Sequence, residues 1–305
     1  PICTTEPSDH HGIVVPMITP ITDDGELDVP GVRRVIDYMI EGGVDGIFVL
    51  GTTGESMSVP YTMRSQLVSL LVDCAGGRAK TYAGISGNIL AQTVSAAEEF
   101  FDAGVDAVVA HTPFYYPLTE SEILAYFTML AYRMSGPLML YNMPSTTGIS
   151  IPLNVVEQLS DIENIVGLKD SERDIERQQA AVKLANERDG FSFFTGVASY
   201  SALALQWGAD GAVPSSGNLV PELCGSVYRR SLEKDWVGAN DAQAKMDVVA
   251  ATYQAGRNLG QSLAGLKCAM NLRKICGTAM LPPLTAMNAA EQAQIQQALA
   301  ELEVI

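Results

Sequence analysis

Histidine is almost absent from this sequence. There are three in 305 residues, His10 and His11 side by side near the start and His111 far from both. So few imidazoles cannot build a histidine-ligated metal cluster, and no metal chemistry is expected. Cysteine is sparse as well. The five present (Cys3, Cys74, Cys224, Cys268 and Cys276) are odd in number and include no Cys-x-x-Cys pair, which argues against a disulfide framework or a zinc site and fits a reducing cytoplasm. No stretch approaches the roughly 18 consecutive apolar residues a membrane span needs. Residues 1–11 are too polar for a signal peptide and read as an N-terminal tail. Basic residues are outnumbered, 19 Lys and Arg against 35 Asp and Glu, for a net charge of −16. Such a surface repels nucleic-acid phosphates and acidic membranes, so neither is expected as a partner. The charge serves solubility, and a locally positive pocket can still admit an anionic substrate.

Hydrophobic residues make up 47% of the chain, enough for a sizeable core arranged as two domains or one large barrel. Short β-branched runs alternate with longer helical patterns. Eight runs read as strands: 13–18, 46–50, 81–85, 107–111, 138–142, 165–169, 191–195 and 211–214. Between them 30–41, 61–74, 91–102 and 120–134 read as amphipathic helices. A local repeat, Gly43-Val44-Asp45, Gly104-Val105-Asp106 and Gly208-Ala209-Asp210, places a helix-ending glycine before a strand three times. Strand and helix in alternation imply a parallel sheet. Eight strands favour closure into an α/β fold of the (β/α)₈ TIM-barrel type, with a doubly wound open sheet as the alternative. The strand signal stops after Pro221, where 222–234, 238–259, 265–276 and 289–302 read as helices. Residues 12–220 are therefore expected to form the barrel core, and 221–305 a barrel-closing helix with a C-terminal helical appendage.

Active sites of such barrels lie at the C-terminal ends of the strands. Strand two runs into Gly51-Thr52-Thr53-Gly54-Glu55, strand four into Thr112-Pro113-Phe114-Tyr115-Tyr116, strand five into Tyr141-Asn142-Met143-Pro144, and strand six ends in Lys169-Asp170-Ser171. Of the seven lysines only Lys169 terminates an apolar strand. Desolvation there favours the neutral amine, which attacks a ketone to give an iminium that serves as an electron sink. An ion pair with Asp170 is the alternative. Tyr141 ends the adjacent strand and can move protons in the same mouth, or serve only in packing. The Gly-Thr-Thr-Gly turn offers N–H groups and hydroxyls suited to a carboxylate, and lacks the spacing and lysine of a phosphate loop. Ser215-Ser216-Gly217 after strand eight reads as an anion site or a plain loop.

These segments together resemble the dihydrodipicolinate synthase / N-acetylneuraminate lyase family of class I aldolases, from about Gly12 to the C-terminal helices. Gly-Thr-Thr-Gly-Glu at 51–55, Thr-Pro-Phe-Tyr-Tyr at 112–116, Tyr-Asn-x-Pro-x-x-Thr-Gly at 141–148 and Gly-Leu-Lys at 167–169 stand in the family's order and spacing. The resemblance implies that Lys169 forms the imine, Tyr141 shuttles protons, and Thr52 links it to Tyr115, which the family supplies from a neighbouring subunit of a homotetramer built as a dimer of dimers. It further implies that Thr53, with Gly51 and Thr52, holds the keto acid's carboxylate, and that Ser171, Thr146 and Val213 meet the rest of the substrate. No cofactor is expected, because the lysine supplies the electron sink.

Three departures bear on substrate. Thr146 stands where dihydrodipicolinate synthases carry an arginine for aspartate semialdehyde, and a threonine cannot supply that bidentate, charged contact. Phe114 and Gln92 replace the tyrosine and glutamate of the family's lysine-feedback site. Gly196-Val197-Ala198-Ser199 replaces the acidic pair that sialic acid lyases offer to the sugar. The remaining expectation is a cytoplasmic lyase cleaving a 2-keto-3-deoxy or 4-hydroxy-2-keto acid to pyruvate and an aldehyde. Its rivals are a dehydratase using the same imine, dihydrodipicolinate synthase itself, and a non-catalytic keto acid-binding paralogue.

Overall fold

The computed structural model describes residues 9–305. Eight parallel strands follow in chain order: β1 Gly12–Pro16, β2 Gly46–Val49, β3 Lys80–Gly84, β4 Ala107–His111, β5 Leu138–Asn142, β6 Ile165–Asp170, β7 Ser192–Thr195 and β8 Gly211–Ala212. β8 pairs back onto β1, Gly12 opposite Gly211 and Ile13 opposite Ala212, so the barrel closes and leaves no strand edge. Helices alternate with the strands around the outside, as in a TIM barrel. Alternate residues of the strands point inward, where Val14, Phe48, Tyr82, Val109, Met139 and Phe194 fill the barrel.

The repeated Gly-x-Asp joint does more than end a helix. Gly104 and Gly208 do cap their helices in the left-handed conformation. The aspartate two residues on then reaches across to the neighbouring strand. Asp45 accepts from Ile13 N at 2.7 Å, Asp106 from Thr81 N at 2.7 Å, and Asp210 from Phe193 N at 2.8 Å. Each carboxylate so pins the start of the strand preceding its own. The pairs β1–β2, β3–β4 and β7–β8 are fastened in this way at the N-terminal rim.

Two boundaries differ from those read in the sequence. His10 belongs to the barrel floor: it is buried, its Nδ1 lies 2.9 Å from Tyr82 Oη, and its carbonyl accepts from Ser192 Oγ. The expected tail therefore overlaps the fold at His10, and residues 1–8 lie outside the described residues. The helix expected over 238–259 stops early, as Trp236–Gln254, and the one expected over 265–276 is Leu259–Leu272. Gly256 turns left-handed between them, and Asn258 with Gln261 forms a capping box that starts the second. That second helix occupies most of 265–276 and begins six residues before the expected start. Both helices run over the C-terminal mouth of the barrel, where they wall the cavity described next.

Candidate active site

Register places His111 of β4 beside Tyr141 of β5, and Tyr141 beside Lys169 of β6. Tyr141 belongs to the interior cluster, so strand alternation turns this row inward at the C-terminal end. Lys169 is 4% exposed, and its Nζ lies 3.9 Å from the centre of the Tyr141 ring and 4.9 Å from that of Phe48. No described carboxylate forms an ion pair with it. Asp170, the sequence's alternative partner, points to the opposite face, where it accepts from Arg177 Nε and Asn142 Nδ2, each at 2.8 Å. The other buried lysine among the described residues is paired: Lys267 Nζ stands 2.5 Å from Glu55 Oε1 and donates to Ala279 O. Burial pushes the Lys169 amine below the usual lysine range, with Tyr141 acting in the opposite sense.

The hydroxyl of Tyr141 meets Thr52 Oγ1 at 3.2 Å. Thr52 comes from a turn whose entry is strained, with Leu50 at φ 58° and Glu55 at φ 56°. Gly84 permits that entry, since a Cβ there would sit 2.0 Å from the Leu50 carbonyl. The turn closes on itself by Gly54 N→Gly51 O, Glu55 N→Thr52 O and Ser56 N→Gly51 O. The N–H groups of Thr52 and Thr53 take no part in these bonds. Thr53 is buried against the cavity, and its hydroxyl has no protein partner among the described residues. The result is a small set of donors about the lysine, suited to a carboxylate.

Above Lys169 opens a cavity of 740 Å³, ample for a substrate well beyond three carbons. Thr52, Thr53, Tyr141, Ser171, Thr146 and Val213 all line it. A short helix, Pro144–Thr147, not expected from the sequence, carries Thr146 there. Two of the expected residues do not reach the cavity. Gly51 lies beneath it, packed against the Phe48 ring. Tyr115 is 83% exposed at φ 90°, edge-on to Tyr116 at 5.1 Å between ring centres, and makes no contact with Thr52 within this chain. Of the serines after β8, Ser215 lines the cavity, whereas Ser216 turns inward toward Cys224 Sγ.

Sequence reasoning missed four residues here. His111 packs edge-on against Tyr141 at 6.1 Å between ring centres. Its Nδ1 lies 2.7 Å from Thr112 O, an acceptor only, so that nitrogen bears the proton; burial keeps the ring's pKa below the usual histidine value. Its position at a strand end, opposite Tyr141, was the available signal. Arg173, Asp247 and Arg257 line the cavity from loops and a helix whose approach only the fold discloses.

Residues 9–302 match the model of the dihydrodipicolinate synthetase family. The chain is 32% identical to a 4-hydroxy-tetrahydrodipicolinate synthase of Methanothermobacter thermautotrophicus over 75% of this chain and 81% of that one. It is 31% identical to an uncharacterized DapA-like lyase of Halobacterium salinarum over 98% and 96%. Among solved structures, dihydrodipicolinate synthase from Bacteroides thetaiotaomicron superposes with a TM-score of 0.91 at 32% identity, covering 95% of this chain and 98% of that one. YagE from E. coli K12, in complex with pyruvate, gives 0.92 at 27% over 98% and 100%. No described helix is long and apolar enough to cross a membrane. Barrel, buried amine and matched sequence agree: the chain belongs to the dihydrodipicolinate synthetase family, and is an enzyme of its Schiff-base-forming class I aldolase and lyase type.

Proposed function

We propose that the protein cleaves a 4-hydroxy-2-keto or 2-keto-3-deoxy acid reversibly to pyruvate and an aldehyde. The observation carrying this reading is a buried lysine without a counter-ion, laid against a tyrosine that Thr52 holds by its hydroxyl. Lys169 attacks the C2 carbonyl as the neutral amine, and the carbinolamine's hydroxyl leaves as water on a proton from Tyr141, giving the protonated imine and a tyrosinate. Thr53, with the free N–H groups of the turn, takes the substrate's carboxylate. Tyr141 accepts the proton of the C4 hydroxyl as the C3–C4 bond breaks, and its electron pair passes into the iminium. Aldehyde and a lysine-bound enamine result. Protonation at C3 and hydrolysis then release pyruvate and restore the amine. Replacing Tyr141 by Phe should lower kcat by about 10²–10⁴-fold, the usual worth of a positioned proton-transfer group, with the slower imine formation visible in a single-turnover trap.

Tyr115 supports the assembly side of the proposal. An exposed tyrosine held at φ 90° beside exposed Tyr116 is poised to leave its own chain. In a homotetramer, Tyr115 of the partner subunit completes the relay through Thr52 to Tyr141. A cytoplasmic location fits the sparse cysteines and the acidic composition.

Condensation of pyruvate with aspartate semialdehyde is the second reading, favoured by the names of several relatives. Thr146 opposes it, since its hydroxyl donates to Met143 O at 3.2 Å and offers no charge. The deciding experiment supplies 2-keto-3-deoxy acids and follows pyruvate. Its release supports aldol cleavage, while loss of substrate without pyruvate indicates dehydration. Turnover only with aspartate semialdehyde establishes the second reading. Pyruvate binding without a borohydride-reducible adduct would make the protein a keto acid-binding paralogue.

A further inference from the structure

The charges around the cavity are at odds with those of the chain. Acidic residues outnumber basic ones 35 to 19 overall, yet the charged side chains lining this cavity are Lys169, Arg173 and Arg257 against Asp247 alone. Neither arginine is neutralised. Arg173 makes no hydrogen bond or ion pair among the described residues, and its acidic neighbours are committed elsewhere. Glu172 lies 3.2 Å from Arg177 Nε and accepts from Asn142 and Ser150, and Asp174 caps the helix Ile175–Asn186. The Arg257 side chain makes one hydrogen bond, from Nη1 to Thr252 O at 3.1 Å, and no ion pair among the described residues. Asp247 is held by Gln243 Nε2 at 2.8 Å, and pairs with neither arginine.

Charge balance then constrains the substrate. The protonated imine keeps the charge of Lys169 and is answered by the keto acid's own carboxylate. By count alone Asp247 answers one of the two arginines, though it pairs with neither. One positive charge remains on the cavity lining, carried by exposed Arg173 and half-buried Arg257, and a guanidinium without an ion pair favours an anion there. We propose that Arg173 and Arg257 bind a second carboxylate, on the aldehyde portion, so that the substrate is a 4-hydroxy-2-keto diacid and the product beside pyruvate is an aldehyde acid without an amino group. This inference rests on the aldolase reading above. It also separates the protein from an enzyme for aspartate semialdehyde, whose ammonium cancels its carboxylate and leaves the wall uncompensated.

The test is condensation of pyruvate with aldehydes matched in length: glyoxylate, malonate semialdehyde and succinate semialdehyde against acetaldehyde, propanal and butanal. At least one acidic aldehyde should exceed its neutral counterpart in kcat/KM by roughly tenfold to a hundredfold, as a charge-assisted contact requires. Arg173→Gln should remove most of that preference through KM, and Arg173→Gln with Arg257→Gln should abolish it. Arg173 has no partner within the fold, so its substitution keeps the test clear of misfolding, and borohydride trapping of pyruvate on each variant reports whether the imine still forms. Equal rates for acidic and neutral aldehydes, or a preference that survives both substitutions, would overturn the second-carboxylate site. Absence of the pyruvate adduct in the unaltered protein would instead overturn the aldolase reading beneath it.

Discussion

Replacing Lys169 by Met is expected to abolish the borohydride-reducible adduct with pyruvate and to lower turnover by roughly four orders of magnitude or more, the scale on which loss of a covalent nucleophile registers. The same substitution should raise the melting temperature at neutral pH. Lys169 is buried with two aromatic rings and no carboxylate, so its folded-state pKa lies below the unfolded one. Between those two values the unfolded chain holds a proton that the folded chain does not, and stability rises with pH across that window. Below the window the full destabilisation applies. Methionine removes it while nearly conserving volume. Thermal unfolding at pH 7 and near pH 10 checks the argument: the advantage of Lys169→Met should shrink at the higher pH. A variant less stable than the parent at pH 7 would mean that the amine has a stabilising partner, which is the ion-pair alternative the sequence left open. In the parent, imine formation should accelerate with pH about a midpoint lower than that of an exposed lysine amine.

The opposite behaviour is expected of the other buried lysine. Lys267 and Glu55 are 1% and 4% exposed, and their pair joins the Gly-Thr-Thr-Gly-Glu turn to the helix Leu259–Leu272. Glu55 also accepts from Leu281 N at 2.8 Å, so one carboxylate ties three segments together. Lys267→Met strands that carboxylate without a countercharge, at a cost of about 3–5 kcal/mol and a melting temperature lower by roughly 10 °C. Adding Glu55→Gln, which keeps an acceptor for Leu281 N, should recover most of the loss, because a broken pair costs more than an absent one. Since Thr52 and Thr53 ride on the same turn, the single variant should also raise the KM for pyruvate. A denaturation series on the single and double variants, with pyruvate KM on each, tests both effects. Additive losses would show that Glu55 and Lys267 do not act as a pair.

Much of this was legible in the chain because local chemistry and fold agreed. The β-branched runs, their spacing and the terminal positions of Tyr141 and Lys169 are period-two signals with turn residues at their ends, and they place the row of inward side chains without coordinates. Val213 and Thr146 both line the cavity. What escaped depends on long-range approach. Asp45, Asp106 and Asp210 looked like punctuation because the N–H groups they satisfy lie on other strands, 32, 25 and 17 residues away. Arg257 was hidden inside an overlong helix, since Gly256 and Asn258 were not weighed as a stop and a start. Arg173 sits three residues from the end of β6 in a run rich in charge, where nothing local distinguishes a cavity wall from a solvated loop. His10 shows the limit from the other side: a polar residue in a polar stretch, placed in the interior by a tyrosine 72 positions on.

The aspartate pins also say how the barrel divides. Three quarters of it are stitched at the N-terminal rim, one carboxylate to each pair of strands. The fourth quarter, β5 with β6, is not: there the equivalent position is Asn164, whose amide donates to Ala131 O and Gly136 O. This pair, which bears Tyr141 and Lys169, is fastened at the opposite rim instead, by Asn142, Asp170 and Arg177. Tyr141 and Lys169, the proposed proton relay and nucleophile, are thus anchored within one residue of themselves, and wear at the barrel's base reaches them last. Strain, drift or substitution along the lower rim loosens scaffold before it loosens chemistry.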